Sequence, residues 1–215
     1  MKVISVNIAK SRLVTLGSRQ VMTGIFKEPA AGPIQVRRHA LAGDEQADLK
    51  VHGGEFKAVY AYPFEHYTFW EETLDRAQFS HGMFGENLTT TGITEGTVCC
   101  GDILRIGTAL LQVTHPRTPC AKLAFKFERP QMIKEFLWSG RSGFYLRVVE
   151  EGDISAGDEI EIVKRDRNRV SVRELLGITD LNEGTLEVAA RALKIESIPQ
   201  SWRDEVAEFL NSTRR

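Results

Sequence analysis

The sequence predicts a mainly β protein with helices, an α+β fold in which a β-barrel over residues 1–164 is followed by a small three-helix bundle over residues 165–215. Short β-rich runs separated by glycine turns fill the first part. The charged run Lys164-Arg165-Asp166-Arg167-Asn168-Arg169 then marks a change of pattern, and beyond it apolar residues recur at helical spacing. A length of 215 residues suits one large domain, or a medium domain with an appendage, and is enough to bury a core.

Residues 1–8 read as the first strand. Residues 63–74 read as a helix with Pro63 in its first turn, where a missing N–H costs nothing. Residues 102–106 and 109–113 flank Gly107-Thr108, a hairpin signature in which glycine supplies the positive φ of a tight turn. A second helix is expected over 132–138. Further strands are expected over 143–149 and, after Gly157-Asp158, over 159–163. Many short strands at this spacing point to a barrel. Past the charged run, Ser171-Val172-Arg173-Glu174 has capping-box form ahead of Leu175-Leu176. Leu186, Ala189, Ala190 and Leu193 share one face of a second helix, and Trp202, Val206, Phe209 and Leu210 line a third. Three such helices hold too little core alone, so they are expected to dock on the barrel or on a second subunit.

Hydrophobic residues make up 42% of the chain and its formal charge is −1, as in an ordinary soluble globular protein. A general nucleic-acid binder would carry a basic excess, so no stable nucleic-acid partner is expected and any anion recognition must be local. The apolar runs are too short to span a membrane, and the strand-like N-terminus lacks a signal-peptide pattern, so a cytoplasmic location is expected. Three cysteines, two of them adjacent, make neither a disulfide framework nor a zinc site, and Cys99 and Cys100 read as packing residues.

Cys120 is the leading candidate for chemistry. An apolar strand ends at Pro116-Arg117-Thr118-Pro119, and the thiol emerges where a helical pattern over 122–127 begins. Helix-start N–H groups, with Arg117 and Lys122 nearby, favour a thiolate. A thiolate is both a nucleophile and a soft metal ligand; packing is the plainer alternative. His52, Gly53, Gly54 and Lys57 form a candidate anion-binding nest, against which stands a tight turn with a solvated lysine. In Phe84-Gly85-Glu86-Asn87, Asn87 could read a heterocycle and Glu86 could hold a proton, or the pair could serve a turn. Lys27 and Arg19 are weaker anion-site candidates. The histidines lack metal-ligand spacing, and His115 reads as a turn-exposed side chain.

The ordered succession Gly24-Ile25-Phe26-Lys27, Gly43 to Asp48, His52-Gly53-Gly54 to Pro63, Phe84 to Leu88, Gly101-Asp102 and Pro116 to Cys120 resembles the MOSC family, most closely its YiiM branch, over nearly the whole chain. The resemblance implies a barrel holding a pterin-based molybdenum cofactor, with the Cys120 sulfur as the metal ligand. It further implies reduction of N-hydroxylated compounds, such as hydroxylaminopurine base analogues, to amines, with electrons from a separate flavoprotein reductase. Lys57, Arg117 and Lys122 would then meet the cofactor phosphate, Asn87 its pterin, and Glu86, His52 or Lys57 would deliver protons. Mitochondrial amidoxime reductases of the family carry a further N-terminal β-rich domain, whereas this sequence begins almost directly in the barrel, so enclosure by the N-terminal strands, the helical tail or a second subunit in a homodimer is expected. The alternatives are sulfur transfer through a Cys120 persulfide and a non-catalytic cofactor-binding module.

Overall fold

The computed structural model describes residues 1–47, 54–76, 78–181 and 183–212. The first part contains β1 (Lys2–Ile8), β2 (Arg12–Leu16), β3 (Arg19–Thr23), β4 (Glu28–Pro29), β5 (Ile34–Arg37), β6 (Ala40–Leu41), a 3-10 turn (Glu55–Lys57), β7 (Val59–Pro63) and α1 (Glu65–Leu74). There follow β8 (Leu88–Thr91), β9 (Ile103–Ile106), β10 (Ala109–Pro116), α2 (Ala121–Lys126), α3 (Met132–Ser139), β11 (Phe144–Glu150), β12 (Gly152–Ile154) and β13 (Ile160–Lys164). Three helices close the chain: α4 (Val172–Thr179), α5 (Leu186–Ala192) and α6 (Gln200–Ser212).

The strands form where side chains alternate. In β10, Ala109, Leu111 and Val113 are buried while Leu110 and Gln112 are half-exposed, and in β9 Leu104 and Ile106 point inward around an exposed Arg105. Eight strands make one sheet in the order β13-β9-β10-β11-β7-β8-β1-β4. Neighbours are antiparallel except β7 and β8, which run parallel with α1 in their connection. The sheet curls until the start of β1 meets the chain entering β13. Val3 N donates to Asp158 O (2.9 Å) and Ile160 N to Met1 O (2.9 Å), beside an isolated Lys2–Glu159 bridge. The barrel expected from the sequence is therefore a curled sheet whose ends touch, not a closed barrel. The hairpin of β2 with β3 and the trio β12-β5-β6 stand apart from it.

One apolar cluster fills the curl and continues without a break into the helices, joining Leu104, Leu111 and Leu146 to Leu175, Ala189, Trp202 and Val206. The three C-terminal helices thus dock on the sheet. Ser171 opens α4 with the expected capping box, its hydroxyl accepting from Glu174 N while the Glu174 carboxylate accepts from Ser171 N. A second cluster, rich in aromatics, packs α1, α2 and α3 on the other side of β7. There Tyr62 stacks on Phe84 at 4.3 Å, and Trp70 Nε1 donates to Tyr62 Oη at 2.7 Å.

Some expectations change. Pro63 ends β7 instead of opening α1, because the parallel ladder with β8 extends to a Pro63–Thr90 pair. In α5 the buried residues are Ala189 and Ala192, while Leu186 is exposed; small side chains let the short helix lie against α6.

His115 is not at a turn surface. It lies within β10, 1% exposed, between the rings of Tyr145 (5.1 Å) and Trp202 (5.4 Å). The Thr114 hydroxyl gives its single hydrogen to Phe56 O (2.8 Å), so it accepts from His115 Nδ1 (3.0 Å), leaving Nε2 as a buried lone pair with no partner among the described residues. Burial, with the nearby Lys57 charge, holds the imidazole well below its ordinary value of 6.5. Below about pH 6.5 the unfolded chain takes up a proton that the folded chain refuses, so stability is lost as pH falls. His115→Phe should flatten this acid limb in denaturant melts between about pH 7 and pH 5; an unchanged slope would contradict the neutral, buried assignment.

Candidate functional site

The last residues of β10 and the first of α2 bring Arg117, Cys120 and Lys122 to one wall of a cavity of about 580 Å³, its open mouth included. Cys120 is half-buried and stands in extended conformation (φ −135°, ψ 171°) just before α2, its carbonyl accepting from Leu123 N at 2.9 Å. Lys57 faces it from the end of the 3-10 turn. Tyr60 of β7 and Tyr145 of β11 complete that side. Burial lowers the Lys57 pKa, and the Cys120 sulfur pulls the other way.

Arg117 is 6% exposed. One Nη1–H goes to Phe84 O, and the guanidinium lies over the Tyr60 ring at 4.7 Å. The Tyr60 hydroxyl is tied in turn to Ser142 O at 2.7 Å. Among the described residues no carboxylate forms an ion pair with Arg117. A guanidinium keeps its charge when buried, so this wall carries a cation with no carboxylate counter-ion among the described residues.

The expected anion-site lysine, Lys27, is placed differently. It lines the cavity but pairs with Asp44, with side-chain exposures of 8% and 1%. Burial lowers its pKa against the pull of Asp44. Its charge is already matched. Asp44 also accepts from Ala9 N (2.9 Å) and from Asn87 Nδ2 (2.9 Å).

Asn87 lines the cavity too, yet its amide is committed. Nδ2 donates to Asp44 and to Asn7 O (3.3 Å), while Oδ1 accepts from Tyr60 N (3.1 Å). It joins strands and has no N–H left for a heterocycle. Glu86, expected as a proton donor, is fully buried and outside the cavity lining. Its carboxylate accepts from the Tyr67 hydroxyl, Gly82 N (2.8 Å), Thr89 Oγ1 (2.9 Å) and Phe84 N (3.0 Å). It holds a turn in which Gly85 (φ 79°) is required, since a Cβ there would lie 2.8 Å from Ile25 Cγ1.

His52 and Gly53 lie outside the described residues. Gly54 (φ 92°) starts the 3-10 turn that carries Lys57, with Lys57 N donating to Gly54 O at 3.1 Å, and it is not part of the cavity wall. Arg19 lies on β3, away from the cavity. Among the lining residues that the sequence does not mark as candidates are Asp44, Gln46, Tyr60 and Tyr145. Three of them lie in segments that carried the family resemblance, whereas Tyr145 sits in an apolar strand that offers no chemical signal.

The curled β sheet thus brings to one cavity a thiol and an arginine that has no carboxylate partner among the described residues. The chain belongs to the MOSC family: the MOSC domain matches residues 48–161. It is 42% identical over 213 residues to YflK of Bacillus subtilis, covering 99% of this chain and 95% of that protein. The crystal structure of YiiM from Geobacillus stearothermophilus is similar with a TM-score of 0.81 at 37% identity, over 97% of this chain and 98% of that one, which places the chain in the YiiM branch. A protein of Gibberella moniliformis named as a reductase is 32% identical over 179 residues, 82% of this chain and 32% of its own length.

Lys27→Met removes the cation from a buried pair and strands the Asp44 carboxylate. The loss of stability should be about 3–5 kcal/mol, measured by urea unfolding, with much of it recovered in the double variant Lys27→Met/Asp44→Asn.

Proposed function

We propose that the chain is a molybdenum-cofactor-dependent reductase of N-hydroxylated compounds, hydroxylaminopurine-type base analogues among them. The observation that carries this reading is the meeting of the Cys120 thiol with a buried Arg117 that has no carboxylate counter-ion among the described residues. A phosphate-bearing cofactor would supply the missing negative charge, and a thiolate suits a soft metal. The residues present fit such a group: Arg117, Lys57 and Lys122 would hold the phosphate, and the Cys120 sulfur would ligate the metal.

When bound, the cofactor supplies two-electron redox chemistry. The overall change is R–NHOH + 2 e⁻ + 2 H⁺ → R–NH₂ + H₂O, so the N–O bond breaks and the oxygen leaves as water. A partner flavoprotein reductase would deliver the electrons. For the chain's own part, Tyr60 and Tyr145 narrow the cavity around the sulfur and limit water there, while Arg117 is fixed by Phe84 O and the Tyr60 ring before any ligand arrives. Of the three proton donors suggested by the sequence, Lys57 lines the cavity and Glu86 does not. The relative named as a reductase supports the class of reaction.

Protein from a cofactor-competent host should hold about one molybdenum per chain by metal analysis, by the one-sulfur ligation argued above. Cys120→Ala should lose it while keeping its thermal transition. Molybdenum-free protein bearing a cyanide-labile sulfur on Cys120 would overturn the reading in favour of sulfur transfer.

A further inference from the structure

Gln46 carries a buried acceptor that meets no donor among the described residues. Its Nε2 donates to Lys57 O at 3.0 Å, and because a carbonyl only accepts, this contact fixes which end of the amide is which. Oε1 is then held on the other side, buried and without a hydrogen-bond partner among the described residues, in a side chain that lines the cavity. A buried amide oxygen left unpaired costs about 1–3 kcal/mol, a cost that a donor on a bound ligand would remove.

The two residues before it are anchored by hydrogen bonds and close packing. Asp44 is bound to Ala9 N, Asn87 and Lys27. Next to it, Glu45 N donates to Ala9 O (2.8 Å), and the Glu45 carboxylate accepts from Ser11 N (2.9 Å) and Ser11 Oγ (2.8 Å). Gly24 lies so close that a Cβ there would stand 2.2 Å from Glu45 O. The backbone leading into Gln46 is therefore held in place, and the bond from Nε2 to Lys57 O orients the amide.

We propose that Gln46 is a specificity-determining residue whose Oε1 accepts a hydrogen bond from the exocyclic amine of an aminopyrimidine ring bound in the cavity. An amide oxygen welcomes an amine and repels a carbonyl at the same position, so the site separates amino from oxo heterocycles. Two sources share this chemistry, the pterin end of the cofactor and an aminopurine product or substrate. The inference rests on the proposed function, in which both belong to this cavity.

The test titrates the full chain, purified from a host unable to make the cofactor, with two probe pairs that exchange amine for carbonyl: pterin against lumazine, and adenine against hypoxanthine. Calorimetry should show the amine member of one pair bound about tenfold to a hundredfold more tightly. The pair that discriminates identifies the source. Gln46→Leu should bring that ratio close to one. A general structural role would weaken both members of a pair together and leave the ratio unchanged, which would overturn the inference. So would equal binding of both members of each pair, or no binding of either pair, by the wild-type chain. Molybdenum content separates this from the underlying reading. A chain that holds the metal without amine preference sinks the role of Gln46 alone, and one that discriminates but never holds the metal sinks the cofactor.

Discussion

The Asp44 carboxylate, sealed from water, is the constraint around which the cavity is assembled. A buried carboxylate has to be surrounded by donors, and here they come from three separate stretches of chain: Lys27, Ala9 and Asn87. Asn87 passes the constraint on to Tyr60 and Asn7, which belong to neighbouring strands. Satisfying one charge therefore sets the relative positions of β1, β7 and the loops over 23–27 and 44–47. Every bond in such a network matters, because at low dielectric a missing partner costs more than a present one contributes.

Two of the basic residues that line the cavity, Lys27 and Arg117, do so on different terms. Lys27 is neutralised by Asp44 and belongs to the scaffold. Arg117 is equally enclosed but, among the described residues, is held by a carbonyl and the rings of Tyr60 and Phe136, none of which cancels its charge. Both are basic residues in motifs of similar look, and the carboxylate beside one of them decides which is available to an anion. The chain as a whole can remain near neutrality because the uncompensated charge is confined to one wall.

That distinction also marks how far the sequence could be read. Strands with clear alternation, such as β9 and β10, and the capping box of α4 are written in local pattern and appear where that pattern puts them. Cys120 beside Arg117 and Lys122 was legible because one short turn carries all three. Glu86 and Asn87 are harder to read, because a polar pair in an apolar setting looks the same whether it faces a ligand or bonds to backbone. Asn87 reaches Asn7 and Asp44, far away in sequence, while Glu86 ties the local N–H groups of Gly82 and Phe84 to the distant Tyr67 hydroxyl. The hairpin of β2 with β3 went unremarked, being half-exposed and without a strong apolar face. His115 was misplaced for a related reason: its strand continues to Pro116, and the ring that covers it belongs to α6, far along the chain.

That covering ring has an implication for what counts as the cavity. Trp202 rests on His115, His115 rests on Tyr145, and Tyr145 is cavity wall. Through Thr114 the same histidine also leans on the carbonyl of Phe56, the residue before Lys57. The C-terminal helices touch no ligand space, yet they form the backing against which two of its lining residues are set. The smallest piece of this chain that could keep the cavity in shape is therefore longer than the stretch that lines it, and a core transplanted without its last helix would carry the right side chains on a wall with nothing behind it.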